Sequence, residues 1–332
     1  MEDKFLEVIS QLSDKLYLYL NQIDQLFKSQ INEIRLRVNQ PIILHSSDTF
    51  FFLSNSGRVS KTPSNLKIIS QKDITDSIGK MCEYSLYSYQ EQIKNGYITL
   101  KGGHRVGISG TGIISENGTI SNIRDISSMN IRIARQIKGT ANTLFKKVGE
   151  NFTGILIIGP PNSGKTTILR DIARSCSIGK FFPLKKVCVI DQRNELSATC
   201  CGAPGFDLGF SDILSSYPKD EGIMHCIKGL SPDIIVCDEI GSLADIAAIK
   251  QGVNSGVKII ASMHAFSIEE LLKKNAAQEL LKTGAFDKIV LLGNNQTLGE
   301  ILGIFKVGDL IDKTYRNVSF NKLVCGNRIQ SF

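Results

Sequence analysis

The chain has 332 residues, 42% of them hydrophobic and 21% charged, with a formal net charge of +7. That length accommodates two domains of about 100–200 residues each, and the apolar content is that of a globular protein with a sizeable core. So mild a positive charge permits nucleic acid or an acidic surface as a partner without requiring either.

The opening stretch, 1-MEDKFLEVISQLSDKLYLYL-20, carries acidic residues where a secretory leader needs basic ones. Its apolar residues recur at helical spacing, which predicts an amphipathic helix over 1–30. No window reaches the ~18 consecutive apolar residues of a membrane span, so a cytoplasmic, soluble chain is expected. Eight cysteines, at 82, 176, 188, 200, 201, 226, 237 and 325, form no CxxC pair. They read as reduced structural thiols of a cytosolic protein, with Cys176, Cys188 and Cys237 in apolar, buried stretches.

Turn residues separate short strands within 33–47 and 49–60. A helix is predicted over 71–94, starting near Asp73, with Ile74, Ile78, Met81 and Cys82 on one face. Glycine-rich alternation fills 96–114 and 117–137, and Asn117-Gly118 between two β-prone runs signals a hairpin. His104-Arg105 reads as an exposed basic turn. This gives a smaller α+β N-terminal domain over 1–137 and a linker helix over 138–151.

From 152 to 332 the pattern becomes α/β. Apolar runs at 153–158, 186–190, 233–237, 258–262 and 288–292 alternate with helical segments, which indicates a mostly parallel, doubly covered sheet. A hairpin over 288–305 is expected to add an antiparallel edge.

The first apolar run leads into 159-GPPNSGKTT-167 and then a helix, which is the strand–loop–helix setting of a GxxxxGK[ST] phosphate-binding loop. Gly159, Pro160, Pro161, Asn162, Ser163, Gly164, Lys165, Thr166 and Thr167 would wrap ATP phosphates at a helix N-terminus, where the dipole favours negative charge. Lys165 would neutralise the β and γ oxygens, and Thr166 would ligate Mg²⁺. A second carboxylate is needed, and 234-IIVC-237 ends in Asp238-Glu239. Asp238 would hold the metal's water shell, with Glu239 polarising the attacking water as general base. Two further strands end in polar groups: Asp191, Arg193 and Glu195 in one, Ser262 and His264 in the other. Both would face the crevice at the carboxyl ends of the strands. His264 would report the γ-phosphate, while Asp191 and Glu195 suit either the site or a structural loop. Arg124, Arg132 and Arg135 admit three readings: a solvated strand face, contact with a nucleic-acid backbone, or an arginine finger acting within or between subunits.

The stretches 33-EIRLRVNQP-41, 96-GYITLKGGHRVGISG-110, 122-NIRDISSMNIRIAR-135, 159-GPPNSGKTT-167 and 190-IDQRNEL-196 resemble the stage III sporulation protein AA family of endospore-forming bacteria. That family is similar to the RecA-like hexameric ATPases of type II and type IV secretion and pilus systems. The resemblance implies an acidic box at 191–195, a Walker B pair at Asp238-Glu239 and a histidine box at His264. Secretion ATPases commonly carry Gly-Glu at the Walker B position, so Asp238 is closer to general RecA-like enzymes. By implication the chain is a homo-hexameric ATPase of the mother cell, docked on membrane-embedded subunits of a channel to the forespore. It would energise assembly of, or transport through, that channel. Two alternatives stand beside it. One is a nucleic-acid-dependent RecA-like motor, against which the sequence shows no interleaving of aromatic and basic residues. The other is a nucleotide-gated scaffold without meaningful hydrolysis, against which the Asp238-Glu239 pair stands.

Overall fold

The computed structural model describes residues 4–46, 49–293 and 299–310. Residues up to Arg135, together with Ala198–Phe206, form one unit; the rest of the described chain forms the other.

The first unit opens with three short helices, α1 (Lys4–Ile9), α2 (Asp14–Asn21) and α3 (Gln25–Gln30), rather than the single helix expected over 1–30. The cause is local: Ser13 accepts from the Leu16 N–H and Asp24 from the Leu26 and Phe27 N–H groups, so each side chain starts a helix afresh. Strands β1 (Glu33–Arg37), β2 (Ile43–Ser46), β3 (Thr49–Leu53) and β4 (Val59–Ser60) follow. Helix α4 (Gln71–Met81) begins in a Ser70/Asp73 capping box. It stops short of the predicted 94 because Glu83 and Tyr84 take positive φ, and the chain restarts as a 3₁₀ turn and α5 (Gln90–Lys94). Strands β5 (Tyr97–Thr99), β6 (Arg105–Ile114) and β7 (Ile120–Arg132) complete an antiparallel sheet in the order β4-β3-β2-β1-β7-β6-β5. The turn between β6 and β7 contains Asn117-Gly118, where the Gly118 N–H donates to Ser115 O at 2.9 Å.

Period-two alternation puts Ile34, Leu36, Leu44, Val106, Met129 and Ile131 on the inner face, against Phe5, Ile9, Leu16, Ile74 and Ile78 of the helices. Each such side chain contributes roughly 1.5–3 kcal/mol on burial. The segment Ala198–Phe206 belongs to this unit despite its place in the sequence. Its Gly205 lies against the Gly103 backbone so closely that a Cβ there would overlap it.

The second unit begins with α6 (Asn142–Val148), β8 (Gly154–Gly159), α7 (Lys165–Ser177), β9 (Val187–Asp191) and β10 (Asp212–Ser215). Helix α8 (Lys219–His225) runs on into a π turn, then come β11 (Ile234–Cys237), α9 (Leu243–Asn254) and β12 (Lys258–His264). The remainder is α10 (Ile268–Lys273), α11 (Asn275–Lys282), β13 (Lys288–Leu292) and β14 (Ile301–Lys306). Their sheet has the order β10-β9-β11-β12-β8-β13-β14, and every pair is parallel except the β13–β14 hairpin. Strand β8 shows why its sequence is continuously apolar: Leu156 and Ile158 enter one core layer, Ile155 and Ile157 the other. Strand β10 was not anticipated, being four residues long and half-exposed at an edge. Cys82, Cys176, Cys188, Cys226 and Cys237 are buried free thiols, whereas Cys325 lies outside the described residues.

A further sequence expectation fails in the first unit. His104, read as part of an exposed turn, is fully buried. Its Nδ1 accepts the Ala134 N–H at 3.0 Å, which requires the neutral ring, and its Nε2 lies 3.5 Å from Glu7 Oε2. Burial holds its pKa down at about 4 from 6.5, against the pull of Glu7. As pH falls the unfolded chain therefore takes up the proton first. The stabilising contribution is complete above about pH 6.5 and is lost as pH drops towards 4. At pH 5 this residue should cost about 2 kcal/mol of stability relative to pH 7. Urea titrations at the two pH values, with the wild-type chain and His104→Gln, check this; an equal drop in both would refute it.

Candidate functional site

The carboxyl ends of β8, β9, β11 and β12 meet around one cavity of about 420 Å³. Its lining includes Pro161, Asn162, Gly164, Lys165, Thr166 and Thr167 from the loop, with Arg193, Glu195, Asp238, Glu239 and His264 from the facing segments. The loop leaves β8 at Gly159 and enters α7 at Lys165, with Asn162 at φ +61° and Gly164 at φ +94°. Gly164 sits where the chain must turn left-handed before α7 begins, which is why a glycine stands there. The first turn of α7 has N–H groups without intrahelical acceptors, and its positive dipole end faces the cavity. The carbonyl oxygen of buried Ser163 accepts the Gly299 N–H at 2.9 Å, while its Oγ has no partner.

Lys165 is buried and folded back on its own loop, donating to Gly159 O at 3.0 Å and Pro160 O at 2.7 Å. Burial pushes its pKa below the usual lysine value, and the Asp238 and Glu239 carboxylates oppose that fall. Carbonyl oxygens are weak partners for an ammonium. The contacts hold it at the mouth of the loop, where phosphate oxygens would replace them.

Asp238 is the hub. Its Oδ2 accepts from Thr166 Oγ1 at 2.8 Å, and its Oδ1 accepts from Ser262 Oγ and from the Glu239 N–H at 2.9 Å. Thr166 and Asp238 thus bring a hydroxyl and a carboxylate oxygen together, the hard donors that suit Mg²⁺. Glu239 follows with φ +43°, a backbone state that costs of order 1–3 kcal/mol. Its carboxylate is bridged: Arg193 Nη1 lies 2.7 Å from Oε2 and His264 Nε2 lies 2.9 Å from Oε1. The other ring nitrogen of His264, Nδ1, is buried without a partner.

Asp191 stands apart from this group. Its Oδ1 accepts the Glu195 and Leu196 N–H groups, and its Oδ2 accepts the N–H and hydroxyl of Ser197, all within 3.1 Å. Beneath it Arg170 donates to Leu196 O and Glu195 O at 2.8 Å. Burial lowers the Arg170 pKa to about 10, against Asp191, Asp238 and Glu195. Of the two acidic-box carboxylates, Asp191 shapes the loop and Glu195 lines the cavity. Sequence reasoning overlooked Arg170, because its helix also carries Lys165, Asp171 and Arg174 and a further charge there gives no distinct signal.

Arg132 and Arg135 belong to the first unit. Arg135 donates to Asn32 Oδ1 at 2.7 Å and Lys28 O at 3.3 Å. Exposed Arg132 lies 3.8 Å from Glu33 Oε2.

An α/β unit with this sheet order, following an antiparallel α+β unit, resembles the folds of solved ATPases. The pilus retraction motor PilT, solved with bound ADP, is similar at a TM-score of 0.57 and 12% identity, over 90% of this chain and 88% of that one. The Yersinia pseudotuberculosis ATPase DotB is similar at 0.52 and 12% identity, over 85% and 77%. The chain belongs to the family "Sporulation stage III, protein AA", whose model matches residues 2–310. It is 36% identical to the stage III sporulation protein AA of Bacillus subtilis (strain 168) over 313 residues, 93% of this chain and 97% of that protein. Among the described residues no helix is long and apolar enough to cross a membrane.

Asp191→Asn should lower the unfolding free energy by about 2–4 kcal/mol, because an amide N–H₂ would face N–H donors in a buried loop. Denaturant titration measures this. Unchanged stability would refute the loop-holding role of Asp191.

Proposed function

We propose that the chain is a Mg²⁺-dependent ATPase that assembles as a homo-hexameric ring and serves a membrane-embedded sporulation channel. Residues 152–332, apart from the 198–206 segment that belongs to the first unit, form its RecA-like motor domain, 1–137 its N-terminal domain and 138–151 the helix between them. It works on the cytoplasmic side in the mother cell, docked on separate membrane subunits. The observation that carries this reading is the chain of contacts from Thr166 through Asp238 to Glu239, with Lys165 beside it.

The roles follow from the chemistry of each group. The loop 159–167 binds the phosphates, with Lys165 exchanging its two carbonyl partners for phosphate oxygens. Thr166 and Asp238 hold Mg²⁺, which when bound neutralises charge on the phosphates. Glu239 accepts the proton of the attacking water on a lone pair that Arg193 and His264, each bound to one of its oxygens, leave free. His264 is well sited to report that change, because it joins Glu239 to the end of the strand beside β8. Glu195 lies on the cavity wall as a second polar contact. Arg132, exposed and weakly held, is better suited than Arg135 to complete the site of a neighbouring subunit.

Steady-state ATP hydrolysis by the purified chain, over a range of protein concentration and with or without DNA, tests this. Lys165→Ala should abolish binding or turnover. Glu239→Gln should bind ATP but lose roughly 10²-fold or more of turnover. Turnover that rises with protein concentration and is indifferent to DNA fits the ring. Full turnover in both variants would remove this site, and turnover that requires DNA would favour a nucleic-acid motor.

A further inference from the structure

The register of the first unit's sheet assembles a surface that is dispersed in the sequence. On the face opposite the core, one cross-strand row reads Phe50, His45, Glu33, Arg132, Arg105. The next reads Phe52, Ile43, Arg35, Asn130, Gly107, Tyr97. Arg37 continues the same face of β1. Rings at the two ends of these rows flank the cations between them: the Arg105 guanidinium lies 4.1 Å from the Tyr97 ring centre, Arg35 lies 5.7 Å from that of Phe50, and His45 and Phe50 are 4.6 Å apart. Among the described residues of these rows one carboxylate, Glu33, serves both Arg35 and Arg132. Phe50 is 48% exposed, and Arg105 and Arg132 are exposed. Gly107 leaves room at the centre, where a Cβ would meet only Asn130 at 3.9 Å.

We propose that this face binds single-stranded nucleic acid, with Arg35, Arg37 and Arg105 on the phosphates and Phe50, Phe52 and Tyr97 stacking on bases. Four guanidiniums against one carboxylate in these rows favour a polyanion, and flat rings flanking them favour a ligand that carries planar groups. An acidic peptide would satisfy the charge but leave the rings unused. Six strands at about 4.8 Å spacing give the face a width of about 24 Å, enough for a few nucleotides. The inference is independent of the ATPase reading.

The test is fluorescence anisotropy of labelled oligo(dT) and oligo(U) of about 20 nucleotides with the full chain, between about 50 and 200 mM salt. Binding should weaken with salt at a log–log slope of roughly −2 to −3, as expected for three or four neutralised phosphates on a single strand. Arg105→Ala should flatten that slope by about 0.7. Phe50→Ala should weaken binding at least about fivefold at unchanged slope, the signature of lost stacking. Lys165→Ala should bind oligonucleotide as the wild type does, so failure of the ATPase reading leaves this one standing. Three results would overturn the proposal: no binding at the lowest salt, no effect of Phe50→Ala, or equal competition by poly-glutamate. A fourth is Arg105→Ala reducing ATP turnover as far as it reduces oligonucleotide binding, which would assign the face to the nucleotide of a neighbouring copy.

Discussion

The geometry of the second unit's site depends on where the Asp238 carboxylate sends its two oxygens. One holds Thr166 at the start of α7; the other holds Ser262 of β12 and the N–H of Glu239. Asp238 is half-buried, and leaving the inward lone pairs of such a carboxylate unmet would be costly. Satisfying them from three separate segments fixes the loop helix, the end of β11 and the end of β12 relative to one another. The same constraint accounts for the strained turn at Glu239. With its N–H drawn towards Asp238 Oδ1 and Ser262 Oγ, the residue adopts φ +43°, and its side chain meets Arg193 and His264. Position, strain and partner choice at Glu239 thus trace to its neighbour.

Much of this was legible in the sequence, because phosphate-loop chemistry is local. A glycine that must turn left-handed, a lysine and a hydroxyl at fixed offsets are read directly from 159–167, and continuous apolar runs announce strands covered on both faces. The carboxylate pair and His264 were found the same way, as polar residues ending such runs. The structure brings all of them to one cavity. What sequence could not give was the side-chain pairing among them, since that depends on strand order, and β12 lies between β8 and β11 only in three dimensions.

The 191–195 segment shows the opposite limit. Asp191 and Glu195 are the same kind of residue, four apart, in a segment that resemblance treats as one acidic box. Burial separates them: Asp191 is 2% exposed and saturated by four donors, whereas Glu195 is exposed on the cavity wall. Composition cannot distinguish a carboxylate that holds a loop from one that faces a ligand. The count of N–H donors around it can. The helix forecasts over 1–30 and 71–94 failed for a related reason, as apolar periodicity persisted through capping side chains and positive-φ residues that restart the chain.

The first unit carries the longest-range lesson. Along the sequence Phe50, Tyr97 and the arginines at 35, 37, 105 and 132 are separated by up to about a hundred residues, and linear inspection finds no aromatic–basic interleaving. An antiparallel sheet reverses that judgement. Its facing is fixed by the buried side, since Ile34, Leu36, Met129 and Ile131 must all reach the core, and a slip of one residue would invert every side chain. The outer face is then determined as a by-product: whatever stands between the core residues is set opposite its cross-strand partners. Here that places Arg105 opposite Arg132, a like-charged pair that the sheet gains nothing from bringing together. Core packing therefore accounts for the alignment of these strands but not for the choice of arginine at those positions, and that choice is the physical reason to look for an anionic partner on this face.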